Sequence, residues 1–205
     1  MAIQINGNGT ITGISSGGLP AGIVTSATLA DGAATGSKLG SGSIIQTKSF
    51  IYTDTTQSYN TNGTWNATPV TVQITPTSAS NKILVMATLT AGNAGSGEGA
   101  AFKVMRSVAG GSYVDTDSLG DAAGTANRGA VGGLYDENLT THTDCRSIQF
   151  VDNPATTSAI DYKLYLYLFN GAVPVLLSRP NTATAGEHIT GASSIILMEI
   201  ASLVQ

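Results

Sequence analysis

From residue 44 onward, apolar and polar side chains alternate with a period of two or gather in short apolar runs. Residues 70–74 (VTVQI) alternate strictly, which buries one face of an extended strand and wets the other. Residues 83–89, 102–106 and 146–151 carry related patterns, and residues 44–52 and 193–200 are rich in β-branched or other apolar side chains. Residues 160–169 are apolar on both faces, with Tyr162, Leu164, Leu166 and Leu168 on one and Tyr165, Tyr167 and Phe169 on the other. Such a strand belongs in the middle of a sheet or beneath a neighbouring subunit. Residues 173–177 form a further short strand. Turns at TPTSASNK (75–82), Gly110-Gly111 and 154–158 separate the runs. The first of them predicts an antiparallel hairpin between 70–74 and 83–89. The Gly-rich segment 91–101 and the small-residue segment 115–133 read as loops. About eight short strands without an amphipathic helix predict an all-β fold, an antiparallel β-sandwich of jelly-roll type.

The first 43 residues read differently. Gly, Ser, Thr, Ala and Asn dominate, aromatics are absent, and Ile3, Ile5, Ile11, Ile14 and Leu19 stand apart from one another. Asn-Gly and Thr-Gly pairs favour tight turns between very short strands. Residues 25–39 contain glycines and lack a 3.6-residue period, so no helix is expected there. Each apolar residue has too few neighbours for burial within one chain. The segment is either a disordered linker or an extended shaft whose apolar residues meet their counterparts around a symmetry axis. The chain therefore divides into 1–43, extended, and 44–205, the β-sandwich.

Composition sharpens this division. Charged residues make up 11% of the chain, under half the share of about 25% usual in soluble globular proteins. A surface this poor in charge has little electrostatic repulsion to keep copies apart, which points to self-association. The nine basic residues are scattered and the net charge is −4, so no patch is expected to track a nucleic-acid backbone. Cys145 is the only cysteine, which excludes an internal disulfide and a multi-cysteine zinc site. No secretory pattern is visible at the N-terminus and the apolar runs are strand-length, so synthesis in a cytoplasm without membrane insertion is expected.

Candidate chemistry is sparse. The segment THTDC places His142, Asp144 and Cys145 together, but a nucleophile and its base are brought together by the fold rather than by adjacency. The plainer reading makes Cys145 a small packing residue. Asp115, Asp117 and Asp121 surround Gly120 in DTDSLGD, a weak Ca²⁺ candidate that lacks the bidentate Glu of a complete calcium loop. A solvated turn suits those residues better. Glu98, Asp136, Glu137 and Glu187 supply carboxylates, and nothing singles out a glycosidase pair among them. AGNAGSGEGA has no following Lys-Ser/Thr and is no phosphate loop. No cofactor and no enzymatic activity are expected. Tyr52, Tyr59, Trp65, Tyr113 and Tyr135 lie near predicted turns or strand ends, where a ring can stack on a sugar or on a host protein. With segments 91–101 and 115–133 they form the candidate recognition surface.

The leader elements ITGISSGGLPAGIV and TLADGAATGSKL resemble the N-terminal parts of tail-fibre and other virion fibre proteins of tailed bacteriophages, especially marine and cyanobacterial ones. GSIIQTKSF, VTVQITPTSASNKILVMATL, FVDNPATTSAIDYKLYLYL and SSIILMEI resemble the C-terminal domains of the same group. The resemblance implies a structural virion protein: a homotrimeric tail fibre docked to a capsid or tail protein by its N-terminus, with the sandwich displayed for receptor binding. Ile3, Ile5, Ile11, Ile14 and Leu19 are then the candidate attachment residues. The chain is shorter than a long tail fibre and has no repetitive shaft, which fits a short fibre, a head-decorating fibre or a tail-hub appendage. The alternatives are a capsid or tail decoration protein with no receptor role and a small polysaccharide depolymerase. The absence of a β-helix repeat weighs against the last.

Overall fold

The computed structural model describes residues 4–5, 11–12, 40–93, 99–135, 143–169, 174–180 and 189–202. The chain forms two compact units, Met1–Leu39 and Gly40–Gln205. In the first, β1 (Gln4–Ile5) and β2 (Ile11–Thr12) form a two-residue antiparallel ladder in which Ile5 pairs with Ile11. Of the candidate attachment residues, Ile3, Ile14 and Leu19 lie outside the described residues.

The second unit is built from two antiparallel sheets. In one, β3 (Ile44–Tyr52), β13 (Ser193–Ile200), β6 (Lys82–Asn93) and β10 (Asp144–Asp152) lie side by side in that order. Short β12 (Val175–Leu177) and β4 (Ser58–Tyr59) extend this sheet from the end of β6. In the other, β5 (Trp65–Ile74), β11 (Ile160–Leu168) and β7 (Gly99–Val108) are neighbours, and β8 (Val114–Asp115) and β9 (Val131–Tyr135) pair with the free edge of β7. The long strands alternate between the sheets as the chain advances, the winding of a jelly roll. No helix occurs among the described residues.

Period-two patterning fills the space between the sheets. Ile83, Val85, Ala87 and Leu89 of β6 and Ile195 and Leu197 of β13 face Val70, Phe102, Val104, Tyr162, Leu164 and Leu166 of the other sheet, all essentially without solvent contact. The two-sided strand read from residues 160–169 is β11, central between β5 and β7, as its apolar pattern requires. Asp152, fully buried, closes one end of the core. It forms an ion pair with Arg106 and accepts a 2.7 Å hydrogen bond from the Tyr162 hydroxyl, linking β10 to β7 and β11. Burial, and then the Asp152 charge, push the Tyr162 hydroxyl far above its ordinary pKa.

The expected hairpin between 70–74 and 83–89 does not form. Val72 pairs with Tyr162 in one sheet, whereas Val85 pairs with Phe150 and Leu197 in the other. TPTSASNK is thus a corner between sheets, and a buried carboxylate explains why. Glu199 points inward from β13 and accepts hydrogen bonds from Asn81 Nδ2 (2.6 Å), Gln46 Nε2 (2.6 Å), Thr77 N (2.7 Å) and Thr77 Oγ1 (2.8 Å). Burial alone would raise its pKa, but these donors outweigh it and hold the carboxyl below its ordinary value. The corner is thereby anchored to the last strand instead of zipping β5 onto β6.

Candidate functional site: an aromatic groove

The outward residues of the β5–β11–β7 sheet form an aromatic row at one end of the sandwich. Register places Tyr167 of β11 between Trp65 of β5 and Ala101 of β7, and Tyr165 between Ala67 and Lys103. The Trp65 and Tyr167 ring centroids are 5.2 Å apart at 53°, and those of Tyr167 and Phe169 are 5.8 Å apart at 59°. These are the tilted geometries that aromatic quadrupoles favour. Further along the strand Tyr113 meets Tyr165 at 5.6 Å, with the Lys163 ammonium 5.0 Å from the Tyr113 ring centre. Two-residue alternation along one strand therefore makes a platform.

Residues 111–130 fold over this face and fix its polar groups. Lys103 is 5% exposed: its ammonium lies 4.3 Å from the Trp65 ring centre and 2.5 Å from the Asp115 carboxylate. Cation–π attraction and an ion pair together offset the burial of that charge. Asn127 Nδ2 donates to the Tyr167 hydroxyl at 2.7 Å, and Ala130 N donates to the Phe102 carbonyl at 3.1 Å. Trp65, Ala101, Asn127, Gly129, Tyr167 and Phe169 enclose an open cavity of about 210 Å³. Small residues at 101 and 129 leave its floor open. Gly99 places Phe169, because a Cβ at that position would lie 2.6 Å from the Phe169 ring, and the Phe169 amide donates to the Gly99 carbonyl. The Phe169 ring is 54% exposed, so one aromatic face is available to solvent beside two packed ones.

The lining carries ring faces, one amide and a phenol, and no carboxylate or imidazole. It can hold an apolar ring face and orient its polar rim, but it provides no acid–base pair.

Of the candidate recognition residues, Trp65 lies in the groove and Tyr113 in the adjoining cluster. Tyr52 and Tyr59 are corrected: both pack against the core between the sheets rather than displaying their rings. The phase of the pleat turns both side chains inward, Tyr52 lying opposite buried Ser193. Burial pushes the Tyr59 hydroxyl up to about 12, and burial followed by the Asp54 charge raises that of Tyr52. Tyr135 ends β9, its backbone paired with Gly99; its side chain lies outside the described structure.

The three calcium-candidate carboxylates diverge. Asp115 is held by Lys103, Asp117 accepts from the Asn153 amide at 3.3 Å, and Asp121 is exposed. Among the described residues no three His, Cys, Asp or Glu side chains converge. Cys145 is exposed on β10, while His142, Glu98, Asp136, Glu137 and Glu187 lie outside the described residues. Sequence reasoning missed Tyr167, Phe169 and Asn127. The aromatic alternation of residues 165–169 was the available signal, absorbed into a purely structural reading of a two-sided strand. The chain matches no family model and no curated protein.

Proposed function

We propose that the chain is a structural virion protein of a tailed bacteriophage, a short homotrimeric fibre that docks to the particle through its N-terminal segment and displays the jelly roll for host-surface recognition. The virion role is what the resemblance of the leader and strand motifs implies. The aromatic groove is the observation that supports recognition: Phe169 offers an exposed ring beside Trp65 and Tyr167, and Asn127 edges the same cavity. Aromatic faces take the C–H face of a pyranose, and a rim amide selects among its hydroxyls. At about 210 Å³ the cavity is smaller than the roughly 300–1,000 Å³ of drug-sized sites. It suits one sugar ring at the end or branch of a host glycan.

Competition for adsorption tests this. Purified protein added to host cells before phage should reduce adsorption, and Phe169→Ala protein at equal concentration should not. Equal competition by both proteins, or by neither, would reject the groove as the receptor site.

A further inference from the structure

The outer face of the β3–β13–β6–β10 sheet is built unlike that of its partner sheet. Burial alternates along β6 and β13, so Leu84, Met86, Ile196 and Met198 are the outward residues between fully buried neighbours. Register aligns them into rows: Met86 with Ile196, and Leu84 with Met198 on one side and Val151 on the other. Ile51 continues the face onto β3, opposite Ser194. The remaining outward positions are mostly serine, threonine and glutamine, with Thr88 and Ser147 hydrogen-bonded across β6 and β10 at 2.9 Å. Lys82, at the end of β6, is the only charged residue on the outward side of the pleat among the described residues of these four strands, and Lys48 lies exposed on the β3 edge. The opposite sheet, by contrast, turns Asp161, Lys163 and Gln73 outward, with Gln73 Nε2 bonded to Asp161.

Both edges of the apolar sheet are also open among the described residues. β3 pairs only with β13, and β10 only with β6. On β3, Phe50 is 37% and Ile51 64% exposed, and Val151 on β10 is 51% exposed. Open edges with apolar side chains are what proteins ordinarily blunt or cover.

We infer that copies of this chain cover this face, packing it around the shared axis of a closed ring; the inference rests on the self-association in the reading above and assigns its surface. Four strands spaced at about 4.8 Å and rows from Lys82 to Thr88 at about 3.4 Å per residue make a plane of roughly 450 Å². That is little more than half of the ~800 Å² each partner gives to a standard interface. A flat pair stacked on this plane alone falls short. A contact that continues over the open β3 edge, with each copy touching two neighbours, makes up the area. The chemistry selects a like surface. With only two lysines, Lys82 at its end and Lys48 on the β3 edge, and no outward carboxylate, the face has little charge with which to steer or discriminate a partner. Its apolar and hydroxyl side chains pack against the same set, as in homo-oligomer interfaces, while both lysines, one at the end and one at the edge, keep their ammonium groups toward water.

The test is the solution mass of the full chain by light scattering, beside Leu84→Lys and the double variant Ile51→Lys/Val151→Lys. The double variant alters only side chains more than half exposed in the single chain, so folding survives it and circular dichroism verifies this. The expected result is about three times the chain mass of 20.7 kDa for the parent and the single-chain mass for both variants. A parent oligomer whose mass both folded variants retain would overturn the face and leave self-association standing. A monomeric parent at tens of micromolar would overturn both.

Discussion

Removing the Glu199 carboxylate should loosen the corner that makes this chain a jelly roll. Glu199→Ala leaves Asn81 Nδ2 and the Thr77 backbone N–H without the acceptor they now share, while Gln46 keeps its bond to the Thr75 carbonyl. Asn81 is 6% exposed, so water replaces the lost acceptor poorly. An unsatisfied buried donor costs about 1–3 kcal/mol, and two are left here, on Asn81 and Thr77. The loss expected here is therefore on the order of 3–5 kcal/mol, a large part of a typical total of about 5–15 kcal/mol. With a urea dependence of about 2 kcal/mol per molar, the unfolding midpoint should fall by about 2 M. The same carboxylate gives a pH signature. Its folded pKa lies below the ordinary 4.5, so its contribution is complete above 4.5 and disappears as pH falls through the lowered folded value. Urea unfolding of the parent should weaken across that acid range, and Glu199→Gln should remove this part of the pH dependence. A midpoint shift below about 0.5 M for Glu199→Ala, or identical acid profiles for parent and Glu199→Gln, would refute the anchoring of the corner to β13.

Other consequences follow from the core and the groove. Tyr162→Phe removes the hydroxyl donor to buried Asp152 and should cost about 1–3 kcal/mol by urea unfolding, with the Arg106 ion pair preserved. Gly99→Ala puts a Cβ 2.6 Å from the Phe169 ring, so it should displace that ring and weaken glycan binding while the thermal midpoint moves little. Trp65→Ala removes a packed wall of the groove and the ring over Lys103. Both glycan binding and stability should fall, the latter by about 1–3 kcal/mol, which thermal unfolding would measure.

The sheets were legible where one side chain in two must be buried. The strongly apolar run of residues 193–200 became β13 with the same limits, and residues 44–52 became β3. The hairpin failed because local pattern cannot say whether a Pro/Ser turn stays within a sheet. What decides it here is Glu199, over a hundred residues away in sequence from Thr77 and Asn81. Tyr52 and Tyr59 failed for a related reason: a tyrosine at a strand end faces core or solvent according to the phase of the pleat, which composition near a turn does not reveal. Trp65 was visible as a candidate, but its partners were not. Tyr167 and Phe169 join it only through the β5–β11 register, and Asn127 only through a loop folded across the sheet.

Trp65 is the single tryptophan of the chain and lines the groove, so its fluorescence reports directly on occupancy. The deciding measurement is a titration of the full chain with purified host surface polysaccharide, followed at the tryptophan emission, for parent and Phe169→Ala proteins. A saturable change is expected in the parent, with an affinity at least tenfold weaker in Phe169→Ala, equivalent to about 1.4 kcal/mol. Saturable binding with equal affinity in both proteins, or no spectral response in a parent that demonstrably binds the polysaccharide, would place recognition elsewhere on the molecule.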